Sequence, residues 1–214
     1  MTFVRAERDA LTRTLLQAGA DAPTLCEGWT THDLAAHLWI RENDAVGATG
    51  IVSGAFAGLT ERRMAETKQR WSYRDLVGRL AAGPTRWSVF AIPGMDDQAN
   101  AVEYFVHHED VRRAGTAPAE PRALDAEVEE SLWRRLRLMS RALFRRSPVG
   151  IVLERSDVPG AEQIRAMPGN PTVTLVGPPS ELMLYAHGRL AVARVRAIGD
   201  EAALAQIADT DLSV

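Results

Sequence analysis

A chain of 214 residues, 46% hydrophobic and 25% charged, can bury one large core or two small ones without a disulfide or a metal to staple it. The formal net charge of -3 argues against a dedicated nucleic-acid binder, which usually carries a basic domain. Cys26 is the single cysteine, so an internal disulfide and a thiolate-rich zinc site are both excluded, and a reducing compartment is the natural setting.

The N-terminal residues 3–18 place Phe3, Ala6, Ala10, Leu11, Thr14, Leu15 and Ala18 at three- and four-residue steps, which predicts an amphipathic helix rather than a signal peptide. Gly19 and Asp21-Ala22-Pro23 end it. Leu25 to Trp29 read as a turn, after which Thr30 or Thr31 caps a second helix running to about Val46, with Asp33 in its first turn. The glycine-spaced stretch Gly47, Gly50, Gly54 and Gly58 reads as a loop or a short loose helix. Further helices are expected over Tyr73 to Ala82, Asp97 to Ala114 and Leu124 to Phe144, the last with mostly solvent-facing arginines at 134, 135, 137, 141, 145 and 146. Beyond Ser147-Pro148 the pattern changes. Strand signals cover Gly150 to Glu154, Pro171 to Val176 and Ala193 to Ile198; helices are expected from Pro179 or Ser180 to about Gly188 and over Glu201 to Ile207. The expected organisation is a helical domain over 1–147 and a small α+β domain over 148–214. No apolar run approaches the ~20 residues of a membrane span, so a cytoplasmic protein with neither membrane nor nucleic acid as partner is expected.

Four of the five histidines, His32, His37, His107 and His108, fall on two predicted helices. Glu103 and His107 are four residues apart and share a helical face with Ala99, Val106 and Asp110, a geometry in which both can reach one metal ion. His37, on the face of Leu34 and Leu38, is the best third ligand from a second helix. Two imidazoles and a carboxylate suit Zn²⁺, and also Ni²⁺ or Fe²⁺, and three protein ligands leave a position open for a water or a thiol. From spacing alone, a plain hydrogen-bonded Glu–His pair is the commoner reading. His32 and His108 read as surface residues or supports of a ligand. Asp110 reads as a partner for a ligand histidine or a helix-end charge, and Cys26 as a small buried residue without a base at a recognisable spacing.

The run Leu25-Cys26-Glu27-Gly28-Trp29-Thr30-Thr31-His32-Asp33-Leu34-Ala35-Ala36-His37-Leu38 resembles the first signature of the mycothiol-dependent maleylpyruvate isomerase and DinB-like superfamily. Val102 to Val111, with Glu103, His107 and Asp110, resembles its second. Gly177-Pro178-Pro179-Ser180-Glu181-Leu182 through Gly188-Arg189 is similar to the smaller C-terminal domain of these proteins, related to sterol-carrier-like folds. The resemblance implies a mainly α fold, a DinB-like four-helix bundle followed by a small α+β domain, with His37, Glu103 and His107 as metal ligands. Where family members often continue the histidine with an arginine and an aromatic, this chain has His107-His108-Glu109-Asp110, so its pocket rim is expected to differ.

The implied activity is that of a thiol-dependent S-transferase or isomerase in which a metal, most simply Zn²⁺, activates mycothiol toward a small electrophile. Arg189 and Arg41 are the candidate contacts for carboxylates of thiol or substrate, with a structural ion pair or a surface charge as the other reading of each. A metal-binding module or stress-linked regulator without a reaction stays open beside it, as do monomer and homodimer.

Overall fold

Apolar steps of three and four build the first part of the chain into helices, and capping residues set where they begin. Residues 2–44, 57–85, 88, 95–115 and 119–212 are described by a computed structural model. The chain divides into two units, Met1–Ala119 and Glu120–Val214. The first unit contains helices α1 (Phe3–Ala18), α2 (Thr31–Asn43), α3 (Ala57–Arg70), α4 (Tyr73–Ala82) and α5 (Met95–Arg112).

Thr2 caps α1 by accepting from Arg5 N, and Ser72 caps α4 by accepting from Asp75 N. Thr30 caps α2 in a reciprocal box: its hydroxyl accepts from Asp33 N while the Asp33 carboxylate accepts from Thr30 N. The sequence left Thr30 and Thr31 as equal choices; Thr31 instead points its hydroxyl to Gly19 O, closing the α1–α2 connection. Helix α1 packs against α5 and α4, and α2 against α3 and α4. Leu11 and Leu15 of α1, Leu34 and Ile40 of α2, and Leu76 and Val77 of α4 are all fully buried. Each such leucine or isoleucine contributes roughly 1.5–3 kcal/mol of burial.

Two differences from the sequence reading lie here. Helix α2 ends at Asn43 rather than near Val46, and residues 45–56, with most of the glycine-spaced stretch, lie outside the described residues. Helix α3 was not expected. Its sequence is polar almost throughout, with Met64 its buried apolar residue, so the apolar period is too thin to read.

The second unit contains α6 (Ala126–Leu143), β1 (Gly150–Arg155), β2 (Gln163–Met167), β3 (Thr172–Gly177), α7 (Pro179–Ala186), β4 (Arg196–Ile198) and α8 (Glu201–Ala208). The sheet order is β2-β1-β3-β4, with β1 antiparallel to β2, parallel to β3, and β3 antiparallel to β4. Ile151, Leu153, Val173 and Leu175 are fully buried, as the alternation of β1 and β3 requires. Strand β2 was missed because it is short and its alternate residues, Gln163 and Arg165, are exposed. Strand β4 covers only the last three of the six residues expected, since its pairing with β3 spans Thr174 to Val176.

The sequence placed the boundary at 147, but the division falls after Ala119, and α6 lies with the sheet. Leu132, Trp133 and Leu136 of α6 are fully buried, and the helix packs on α7 and β2. Two polar ties reinforce that choice. Glu129 accepts from Ser180 N at 2.9 Å and Ser180 Oγ at 2.8 Å, serving the N-terminus of α7, which has no side-chain cap of its own. Arg155 at the end of β1 reaches Glu130 of α6 at 2.6 Å. Of the α6-region arginines, all but the half-buried Arg135 are exposed, in keeping with the solvent-facing expectation.

Candidate metal centre

His37 sits in the middle of α2, about two turns beyond the Thr30 cap, and is 7% exposed. Glu103 and His107 project from one face of α5, four residues apart. The three side chains converge on one oxygen. Glu103 Oε1 lies 3.0 Å from His37 Nε2 and 3.2 Å from His107 Nε2. Arg41, one turn beyond His37, brings Nε to 3.3 Å from the same oxygen. The two imidazole rings stand 5.3 Å apart at 72°.

These distances suit a metal. Two ligands each about 2.0–2.1 Å from a tetrahedral zinc are about 3.3 Å apart. His37, Glu103 and His107 offer ligand atoms that all lie within 4.8 Å of one another, so one cation can meet all three. The donor chemistry agrees: two nitrogens and a carboxylate oxygen, without a thiolate, are the ligands of open zinc sites.

The supports around the triad are equally defined. Asp110 is fully buried, and its Oδ2 lies 2.8 Å from His107 Nδ1. A carboxylate only accepts, so Nδ1 carries the proton and Nε2 is the nitrogen turned toward Glu103. Cys26 Sγ donates to the same Asp110 oxygen at 3.3 Å and lies 3.9 Å from His107 Nδ1. Trp29 places its ring 5.0 Å from that of His37.

Burial pushes the His37 imidazole below its ordinary range, against the pull of Glu103. Burial likewise acts against a charged Glu103, but the hydrogen bonds from His107 and His37 outweigh it and hold the carboxyl well below the usual carboxylate range. For His107 burial is again opposed, here by Asp110, Cys26 and Glu103, which together lift the imidazole well above its ordinary value. A cation bound between these groups would take the place of the protons they share.

The remaining candidates fall elsewhere. His108 is buried rather than at the surface: its Nδ1 lies 2.8 Å from Glu7 Oε1 and its Nε2 2.9 Å from Thr14 Oγ1, so it ties α5 to α1. His32 is half-buried against the Tyr73 ring at 5.4 Å. Arg189 belongs to the second unit, where its guanidinium donates to His187 O at 2.5 Å. The supporting role of Cys26 could not be read from spacing, because its partners His107 and Asp110 are 81 and 84 residues away. A second group escaped the sequence reading for the same reason. Arg8 Nη2 bonds Glu42 Oε1 at 2.6 Å, and Tyr104 and Asn100 donate to that oxygen at 2.7 and 3.0 Å, joining α1, α2 and α5 just beside the triad.

Residues 4–70 match the family model described as "Mycothiol maleylpyruvate isomerase N-terminal domain". That segment contains His37 and Arg41 and ends before Glu103 and His107. No curated protein is significantly similar to the chain in sequence. A crystal structure of the mycothiol-dependent maleylpyruvate isomerase is similar over 91% of this chain and 90% of its own, at 17% identity and a TM-score of 0.58. A mutant of such an enzyme, one histidine replaced by alanine, covers the same shares at 18% identity with a TM-score of 0.38. Residues 4–70 are thus similar to the mycothiol maleylpyruvate isomerase N-terminal domain, and the chain that carries them shares its fold with a mycothiol-dependent maleylpyruvate isomerase.

Proposed function

We propose that the protein holds one divalent metal ion, most simply Zn²⁺, on His37, Glu103 and His107, and acts as a thiol-dependent isomerase or S-transferase with mycothiol as the thiol. The observation that carries this reading is the convergence of two buried Nε2 atoms on one carboxylate oxygen, at 3.0 and 3.2 Å. The match of residues 4–70 to a mycothiol isomerase family supports the choice of thiol. A bound Zn²⁺ supplies the positive charge that favours thiolate over thiol at neutral pH. A metal would displace the Nε2 protons that His37 and His107 direct at Glu103, while Asp110 would keep the remaining proton of His107 on Nδ1. Arg41 and Arg189 are the proposed contacts for carboxylates of thiol or electrophile; Arg41 stands at the triad, its Nε 3.3 Å from Glu103 Oε1. The same reading takes the helical unit as a DinB-like four-helix bundle, the second unit as a sterol-carrier-like domain, and the protein as a cytoplasmic monomer or homodimer. No helix among the described residues is long and apolar enough to cross a membrane.

Elemental analysis of the purified protein tests the metal: about one equivalent is expected, and near none in His37→Ala, Glu103→Ala and His107→Ala. Equal metal content in all four proteins sinks the site. The zinc-loaded protein, assayed with mycothiol and a panel of electrophiles that includes maleylpyruvate, should turn over only when thiol is present. A second reading, a metal-binding module or stress-linked regulator without a reaction, needs only the three converging ligands. Metal binding without thiol-dependent turnover selects that reading.

A further inference from the structure

The turn that precedes α2 touches both histidines of the centre, one through Trp29 and one through Cys26 and Asp110. It is a rigid turn. Thr24 N and Thr24 Oγ1 both donate to Trp29 O, at 3.2 and 3.0 Å, and Trp29 N donates to Cys26 O at 3.0 Å. Gly28 takes a φ of 75°, a conformation that side chains with a Cβ resist. Leu25 N donates to Asp110 O at 3.1 Å, which fastens the turn to α5 by backbone alone. The Cys26 side chain is therefore delivered to Asp110 by groups that a substitution at 26 leaves in place.

We propose that Cys26 is a positioning residue of the metal centre: its thiol donates to Asp110 Oδ2, the oxygen that also accepts from His107 Nδ1, and so fixes the carboxylate that aims Nε2 of His107 at Glu103 and His37. The inference rests on the metal reading above. The sulfur lies 3.3 Å from Asp110 Oδ2 and 3.9 Å from Nδ1, so it stands beside the nitrogen that faces Asp110. Nε2 faces the other way, toward Glu103 at 3.2 Å. Cys26 thus cannot join an ion held by Nε2 in this ring orientation; with His107 and Asp110 it forms a second group of possible ligand atoms, and its sulfur stands on the Nδ1 side. Asp110 is fully buried, where a carboxylate is costly unless donors surround it, and each donor also limits how it can rotate. Removing the thiol leaves the His107 bond but takes one donor from the carboxylate, which loosens its hold on the ligand ring. Partners that orient a ligand histidine are worth about 10–100-fold in metal affinity.

The test compares the wild type with Cys26→Ala, Cys26→Ser and Asp110→Asn. Zn²⁺ affinity is measured by chelator competition, Co²⁺ binding by absorption, and the folding transition in the metal-free state. Cys26→Ala should weaken Zn²⁺ binding about tenfold in protein that still shows a cooperative metal-free transition. Cys26→Ser restores a donor and should recover most of the loss, while Asp110→Asn should lose at least as much as Cys26→Ala. The cobalt protein should show no sulfur-to-metal charge-transfer band. Unchanged affinity in Cys26→Ala overturns the proposal, as does an equal loss in the alanine and serine variants, or a charge-transfer band that Cys26→Ala abolishes. A wild type that binds no metal overturns the metal reading itself and this inference with it, whereas a metal-binding wild type indifferent to Cys26 overturns the inference alone.

Discussion

The two units bury different chemistry. Around α1, α2 and α5 the first unit encloses Glu7, Arg8, His37, Glu42, His107, His108, Glu109 and Asp110. The second unit lines its sheet with Ile151, Leu153, Val173 and Leu175, and its buried charges sit at element ends. There they have structural tasks: Glu129 serves the start of α7, Arg155 ties β1 to α6, and Glu181 accepts from Arg194 N at 2.7 Å. Burying a paired charge gains little stability over a well-packed apolar side chain, because desolvation offsets the attraction. The second unit follows that logic and keeps such pairs few. The first unit departs from it over three helices, and the departure centres on the carboxylate that two imidazoles share. In the reading proposed above, its polar interior serves a site rather than a stronger fold.

The contrast can be broken by mutation, and the largest effect should come from the polar side. Glu42→Ala leaves the guanidinium of Arg8, 6% exposed, in the interior without its carboxylate. The expected loss is about 3–5 kcal/mol, read by urea denaturation. A loss under 1 kcal/mol would mean that water or a neighbour replaces Glu42, and that the polar interior is loosely built. In the second unit Leu153→Ala removes a fully buried side chain of β1 and should cost about 2–5 kcal/mol. Hydrogen exchange assigns each loss to its unit: α1, α2 and α5 amides for the first variant, β1 and β3 amides for the second.

Much of this arrangement was legible in the sequence, and the part that was not has a common cause. Periodicity of 3.6 placed α1, α2, α4, α5 and α6 within a few residues, and Thr30 and Thr31 marked the start of α2 without deciding which of them caps it. The pair Glu103 and His107 was legible because helical spacing is local. What failed was whatever depended on distant partners. Arg8, Glu42 and Tyr104 meet across 34 to 96 residues and carry no local signal. Cys26 looked inert because its acceptor is far along the chain. His108 looked exposed because nothing near it announces Glu7, 101 residues earlier. The boundary at 147 followed a change from helix to strand pattern, but a unit is set by which faces pack, and the apolar face of α6 packs on β2 and α7.

Metal should sharpen the contrast. Zinc at a hundredfold excess over its dissociation constant stabilises the state that binds it by about 2.7 kcal/mol. In the reading proposed above, that stabilisation belongs to α2 and α5, which carry all three ligands. Hydrogen exchange with and without zinc should slow amides near His37, Glu103 and His107 and leave β1, β2 and β3 unchanged. Protection confined to the second unit would place the metal elsewhere.

The smallest effect concerns the start of α2, which aims His37. Asp33 accepts from Thr30 N at 3.0 Å and from Lys68 Nζ at 2.5 Å. Burial opposes its charge, but the bonds from Lys68 and Thr30 prevail and hold the carboxyl below its ordinary value. The folded state therefore binds the Asp33 proton less readily than the unfolded chain does, so the stability it contributes is complete above the unfolded value of about 3.9 and is lost as pH falls through the lower folded value. The side chain is 22% exposed, which keeps the contribution near the ~1 kcal/mol of a helix cap. Asp33→Asn should lower stability by about that amount at pH 7, and the gap to the wild type should close as acid protonates Asp33 in both states. Denaturation at pH 7 and at pH 3 measures it. A gap that persists at pH 3 would assign the effect to the shape of the side chain rather than to its charge, and the cap of α2 would then owe its strength to Thr30.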